Sequence, residues 1–227
     1  MHEHRRLYLA LLLLLFVVLA GVLTWKFVYT NSMHFVAGNR PENYFEEPAP
    51  AEPRLPPVRS TDPSRGNATD KAVTIVQFGD YLTPYGRALE PELQKVLVAQ
   101  GVPVRLVWRD FIPPSERPEP LIAAMAARCA GEQGKFWDMH DALLTQPSFD
   151  VAGLRTLAYQ KELNTVLFTQ CMDSKQHSRA IGEDVATARA YDIIASPTLF
   201  INGKAFVGYM TADQISRAVW LAAREQK

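Results

Sequence analysis

An uncharged run rich in leucine and valine, Leu7 to Trp25, constrains this chain more than any other feature. A helix of about 20 apolar residues crosses the roughly 30 Å hydrocarbon core of a bilayer. No face of the run is polar, which separates it from the amphipathic helix of a soluble core. The expectation is one transmembrane helix over residues 7–27, touching the lipid bilayer through Leu7 to Trp25. His2, His4, Arg5 and Arg6 precede the run and Lys26 alone follows it closely. The positive-inside rule then puts the tail, residues 1–6, in the cytoplasm and exports the rest. A cleaved signal peptide is the alternative, because Val18-Leu19-Ala20 offers small residues to a peptidase.

Charge and cysteine content narrow the remainder. Lys and Arg number 24 and Asp and Glu also 24, so no long-range field draws in nucleic acid. No stretch interleaves basic and aromatic residues as a nucleic-acid surface would. Cys129 and Cys171 are the two cysteines and lie far apart, so there is neither a zinc spacing nor a Cys-x-x-Cys. His177 sits in the polar run Asp173-Ser174-Lys175-Gln176-His177 and reads as solvated, so no metal site and no cofactor is expected. His140 and Asp141 are adjacent; on a helix they point about 100° apart and do not act on one atom. His140 reads as structural.

Residues 28–70 change character, with Pro41, Pro48, Pro50, Pro53, Pro56, Pro57 and Pro63 among acidic and small residues. This reads as an extended linker able to reach on the order of 100 Å at about 3.1 Å per residue, or to lie along another protein. From residue 71 the pattern is globular. Val73 to Phe78 is a β-branched and aromatic strand ending at Gly79-Asp80. Leu89, Leu93, Val96 and Leu97 recur at helical spacing, and Val104 to Trp108 is a second strand, giving a β-α-β unit. A helix-rich stretch, about 113–190, follows. Thr198 to Ile201 and Ala205 to Val207 flank Asn202-Gly203, a hairpin signal, before a helix from about Ala212 to Arg224. The order predicts an α/β fold: a mixed sheet over residues 71–227, with a helical subdomain inserted.

At this point the sequence resembles the DsbA-like branch of the thioredoxin superfamily. Val76-Gln77-Phe78-Gly79-Asp80-Tyr81 resembles the strand and turn entering that family's active site, and Arg109-Asp110-Phe111 the end of its next strand. The segment from Ala126 through Cys129 to Ala130, with Gln133 to Trp137 and His140-Asp141, is similar to the inserted helices. Ser196-Pro197-Thr198 matches the cis-proline loop. The resemblance implies a thioredoxin-like mixed sheet with a helical insertion. The family's Cys-Pro-x-Cys falls on Thr83-Pro84-Tyr85-Gly86, where both sulfurs are missing. A threonine hydroxyl stays protonated near neutral pH and cannot carry electrons, and Gly86 has no group to resolve a mixed disulfide. Hence no catalytic residue is expected, and the chain reads as not an enzyme. Thr83 reads as a helix N-cap with Pro84 in the first turn. For Ser196 and Pro197, a leftover peptide groove and a purely fold-shaping proline both stay open, as do a binding patch or a covering role for Tyr81 and Tyr85.

The exported compartment is oxidising, which predicts a structural disulfide between Cys129 and Cys171; two buried free thiols are the alternative. These readings point to a redox-inactive accessory, scaffold or stabilising subunit of a membrane protein complex. The site of action would be the periplasmic or extracytoplasmic face of a bacterial inner membrane. A substrate-binding or chaperone-like module is one alternative; a thiol–disulfide oxidoreductase and a glutathione-dependent enzyme using Thr83 are others.

Overall fold

The computed structural model describes residues 54–99, 101–113, 118–146 and 149–225. Every described residue belongs to one compact unit, Glu52–Lys227. The expected cytoplasmic tail, transmembrane helix and first part of the linker lie outside the described residues. Among the described residues, no helix is long and apolar enough to cross a membrane.

The central strand β2, Val73–Gly79, pairs in parallel with β3, Val104–Asp110, from Val73 opposite Val104 to Gly79 opposite Asp110. The crossover between them is helix α1, Pro84–Val98. On its other edge β2 pairs antiparallel with β4, Thr198–Ile201, which forms a hairpin with β5, Lys204–Val207. Asn202 and Gly203 both have positive φ, 50° and 80°, as a tight two-residue hairpin turn demands. β1, Ser64–Gly66, closes the far edge antiparallel to β3, giving the order β1-β3-β2-β4-β5.

Between β3 and β4 come α2 (Glu119–Gly131), α3 (Phe136–Leu143), α4 (Val151–Gln160), α5 (Thr165–Ser174) and α6 (Ser178–Ala190); α7 (Ala212–Glu225) follows the hairpin. The expected mixed sheet with inserted helices is therefore present. The two-residue period of each strand sends alternate side chains to opposite faces. Val73, Ile75, Leu106, Leu199 and Ile201 pack with Leu89 and Leu93 of α1 and Ile215 and Val219 of α7. Val76, Phe78, Val107 and Phe200 pack on the other face with Ala188 of α6. The insertion has its own core around α2, whose alanines at 123, 124, 126, 127 and 130 are all buried. Such small side chains let helices pack against α2 on every side.

One boundary differs from the sequence reading. Residues 54–70, expected as linker, are bound to the domain and include β1. Proline cannot donate, but its carbonyl accepts: Trp108 N donates to Pro63 O at 2.9 Å and Arg109 Nη1 to Pro57 O at 2.8 Å. Tyr191 Oη donates to Leu55 O at 3.2 Å, and Arg54 N to Gly203 O at 3.1 Å.

Candidate functional site

The start of α1 is built as the sequence implies. Thr83 is its N-cap, with extended backbone (φ −76°, ψ 132°) and a hydroxyl that accepts from Gly86 N at 3.3 Å. The same hydroxyl donates to Asp80 O at 3.1 Å, closing the turn from β2 into the helix. Pro84 occupies the first turn, where its missing N–H leaves nothing unpaired. A Cβ added to Gly86 would stand 2.7 Å from Thr83 Oγ1, so the cap and the absence of a side chain at 86 belong together.

The loop before β4 lies against this turn. The Ser196–Pro197 peptide is cis, and Asp80 N donates to Ser196 Oγ at 2.9 Å. Thr83 and Pro197 thus flank one corner of the sheet, and Tyr85 beside them is 65% exposed. Tyr81 is not part of that surface. It is buried at 1%, its ring tilted 30° to that of Trp108 with centroids 4.9 Å apart, and its phenol meets His140 Nδ1 at 3.0 Å. Of the two tyrosines only Tyr85 faces outward.

Against α1 lies a polar chain, running from the buried His140 out to the half-exposed Asp141, that sequence reasoning did not assemble. His140 Nε2 is 3.4 Å from Glu90 Oε2, Glu90 pairs with Arg65, and Arg65 Nη1 reaches Asp141 Oδ1 at 2.8 Å. Burial, helped by the Arg65 charge, pushes the His140 pKa down to about 3. Burial likewise raises the Tyr81 phenol well above its ordinary value. At neutral pH, then, a neutral imidazole donates through Nε2 to Glu90 and accepts at Nδ1 from Tyr81. Trp108, Phe136 and Trp137 surround the ring. The structural reading of His140 matches this enclosure.

A second buried network ties the insertion to the sheet. Arg109 Nε binds Asp184 Oδ1 at 2.6 Å, and Arg128 bridges Asp110 and Asp184, both at 2.5 Å. Arg59 adds pairs to Asp62 and Asp184. Burial first, and the Asp110 charge second, raise the Asp184 carboxyl above its usual range. The signal in the sequence was Arg109-Asp110 at the end of an apolar strand, where unpaired charges would be costly.

Cys129 of α2 and Cys171 of α5 form a disulfide with their Cα atoms 5.7 Å apart, as the sequence reading expected. Both residues are buried. His177, the residue before α6, lies against this pair: a ring nitrogen and the two sulfurs fall within 4.8 Å of one another. It is not the solvated histidine that the polar run around it suggested, since its side chain is only 22% exposed.

A family model described as Thioredoxin matches residues 59–220. A Na(+)/H(+) antiporter NhaA 1 of Salinispora arenicola is 33% identical over 162 residues, covering 70% of this chain but 25% of the antiporter. The chain therefore spans about a quarter of the length of the antiporters it matches. Among solved structures, a thioredoxin-like oxidoreductase from Silicibacter pomeroyi superposes with TM-score 0.65 at 27% identity, covering 73% of this chain and 94% of that one. The thiol-disulfide exchange protein alpha-DsbA2 of Wolbachia pipientis gives 0.63 at 19% identity, covering 74% and 88%.

These likenesses correct one expectation. The chain was read as not an enzyme because Thr83 and Gly86 stand where a Cys-Pro-x-Cys would carry its sulfurs. The similarity to an oxidoreductase, and the Cys129–Cys171 disulfide, overturn that reading. It took the helix start to be the one place for sulfur chemistry, whereas the chain's sulfur pair lies in the insertion.

Proposed function

We propose, from the premise that the chain belongs to the thioredoxin family, that it is a DsbA-like module serving a membrane cation-transport assembly. In this reading Leu7 to Trp25 anchors it in the inner membrane, the tail 1–6 is cytoplasmic, and the domain acts on the extracytoplasmic face as an accessory unit. The observation that carries it is the likeness to Na(+)/H(+) antiporters over a quarter of their length, where sequence of this type forms part of the antiporter chain itself. Here an apolar run and a proline-rich segment precede the same kind of sequence. Confinement to one membrane plane raises effective concentration, so modest contacts with a transporter suffice. Affinity purification of the full-length chain from its own membranes in mild detergent tests this. An integral membrane cation transporter is expected to come with it, and recovery of the chain without any membrane partner contradicts the reading.

A second reading concerns chemistry, and the disulfide favours it. The chain holds two cysteines, so thiol–disulfide exchange runs through Cys129 and Cys171. Because both sulfurs are buried, attack on the bond requires α5 to lift from α2, which makes exchange slow beside an exposed thiolate. Insulin reduction by the purified chain, with a dithiol as electron source, is expected to be slow and to disappear in Cys129→Ser. Turnover that survives Cys129→Ser contradicts it.

A further inference from the structure

The surroundings of the disulfide carry a different inference. Four potential ligands converge where α2 ends and α5 turns into α6. Cys129 lies near the end of α2 and Glu132 is the residue closing that helix. Cys171 lies on α5, and His177 stands just before α6. The two sulfurs and a His177 ring nitrogen already lie within 4.8 Å of one another. Glu132 Oε1 is 3.1 Å from His177 Nε2. That nitrogen is buried and, among the described residues, has no hydrogen bond of good geometry despite this approach.

We propose that reduction of the disulfide converts Cys129, Cys171 and His177, with Glu132 as fourth ligand, into a binding site for zinc. Zinc takes thiolate, imidazole and carboxylate in a tetrahedron, at about 2.3 Å to sulfur and about 2.0 to 2.2 Å to nitrogen or oxygen. Ligand atoms so arranged sit roughly 3.3 to 3.8 Å apart, so the sulfurs must part by about an ångström each once their bond opens, and the Glu132 carboxylate, which meets the group through His177, must leave Gln176 and swing toward the sulfurs. His177 belongs to the turn after Lys175, whose left-handed backbone (φ 53°) ends α5; the ligand thus sits in a turn between helices rather than inside one.

Charge and protonation suit a cation. Burial lowers the His177 pKa, which favours the neutral ring that a metal requires. The nearby Arg128 guanidinium is already paired with Asp110 and Asp184. An external dithiol gives two electrons and two protons to the Cys129–Cys171 bond and becomes a disulfide itself. Zinc then displaces the two thiol protons to solvent and binds the thiolates. Reoxidation ejects the metal, so the site is open only in the reduced protein. None of this requires the transport partner.

The test uses the full-length chain, oxidised or reduced with a dithiol that is then removed, with thiols counted to establish the reduced state. Each form is titrated with Zn²⁺ against a chromophoric chelator, and with Co²⁺ to read thiolate-to-metal charge transfer, a band that His2, His4 and His34 cannot produce. The reduced chain is expected to bind one zinc with that band, and the oxidised chain to show neither. His177→Ala, with its fold checked by circular dichroism, is expected to bind at least about tenfold more weakly, and Glu132→Gln several-fold more weakly. A disulfide that resists the dithiol in the folded protein overturns the proposal. So does a reduced chain without the charge-transfer band, or one in which His177→Ala binds zinc as tightly as the parent.

Discussion

His140 shows how one side chain can set the pH response of the domain. Its folded pKa lies near 3, while an unfolded chain titrates near 6.5. Between those values the unfolded state binds the extra proton, so stability is fully present above about pH 6.5 and is lost as pH falls toward 3. The slope for one proton is about 1.4 kcal/mol per pH unit. His177, also lowered by burial, acts with the same sign. Urea unfolding of the domain is expected to approach this slope as pH falls from 6.5 to 5, where an unfolded histidine becomes almost fully protonated, and the pH dependence of His140→Gln is expected to be shallower than that of the parent. An unchanged slope in His140→Gln would mean that the ring is not held neutral. At this scale the sequence was partly legible. Thr83 before Pro84 announced a helix cap because both roles are local. Tyr81 and His177 were not legible, since a tertiary fold decides whether an aromatic or a ring nitrogen faces inward.

Elements were easier to read than single contacts. The central strands read as short β-branched and aromatic runs, and Asn202-Gly203 marked its hairpin by turn chemistry alone. β1 escaped because Ser64–Gly66 is three residues long with no apolar signal; its place is fixed by β3. The ion network of Arg109, Arg128 and Asp184 escaped for a similar reason, as its members come from three elements far apart in sequence. The α2–α5 contact has a measurable weight. The disulfide joins residues 42 apart, and in the chain-entropy model a loop of that size is worth about 4 kcal/mol of folding stability. The Cys129→Ala, Cys171→Ala double variant is expected to unfold at correspondingly lower urea. A midpoint within experimental error of the parent would show that the insertion holds without its cross-link.

At the scale of the whole molecule, two facts shape the account. Thr83 caps the start of α1 with Gly86 beside it, and the chain's two sulfurs join two helices of the insertion. The sequence relatives are antiporters of which this type of domain makes up about a quarter. The fold was legible because strand and helix patterns, and the motifs around Val76–Tyr81 and Ser196–Thr198, are written along the chain. A partner was not, because an interface is a property of two surfaces. Residues 54–70 pack on the domain, so a deletion that probes the proposed linker stops short of them. Deleting residues 35–53 is expected to leave the domain folded and to weaken association with the membrane partner. The most direct measurement is the mass of the particle released from native membranes in mild detergent. The 25.5 kDa chain is expected to travel in a fixed ratio with an integral membrane cation transporter. A particle containing the chain and detergent alone would contradict it.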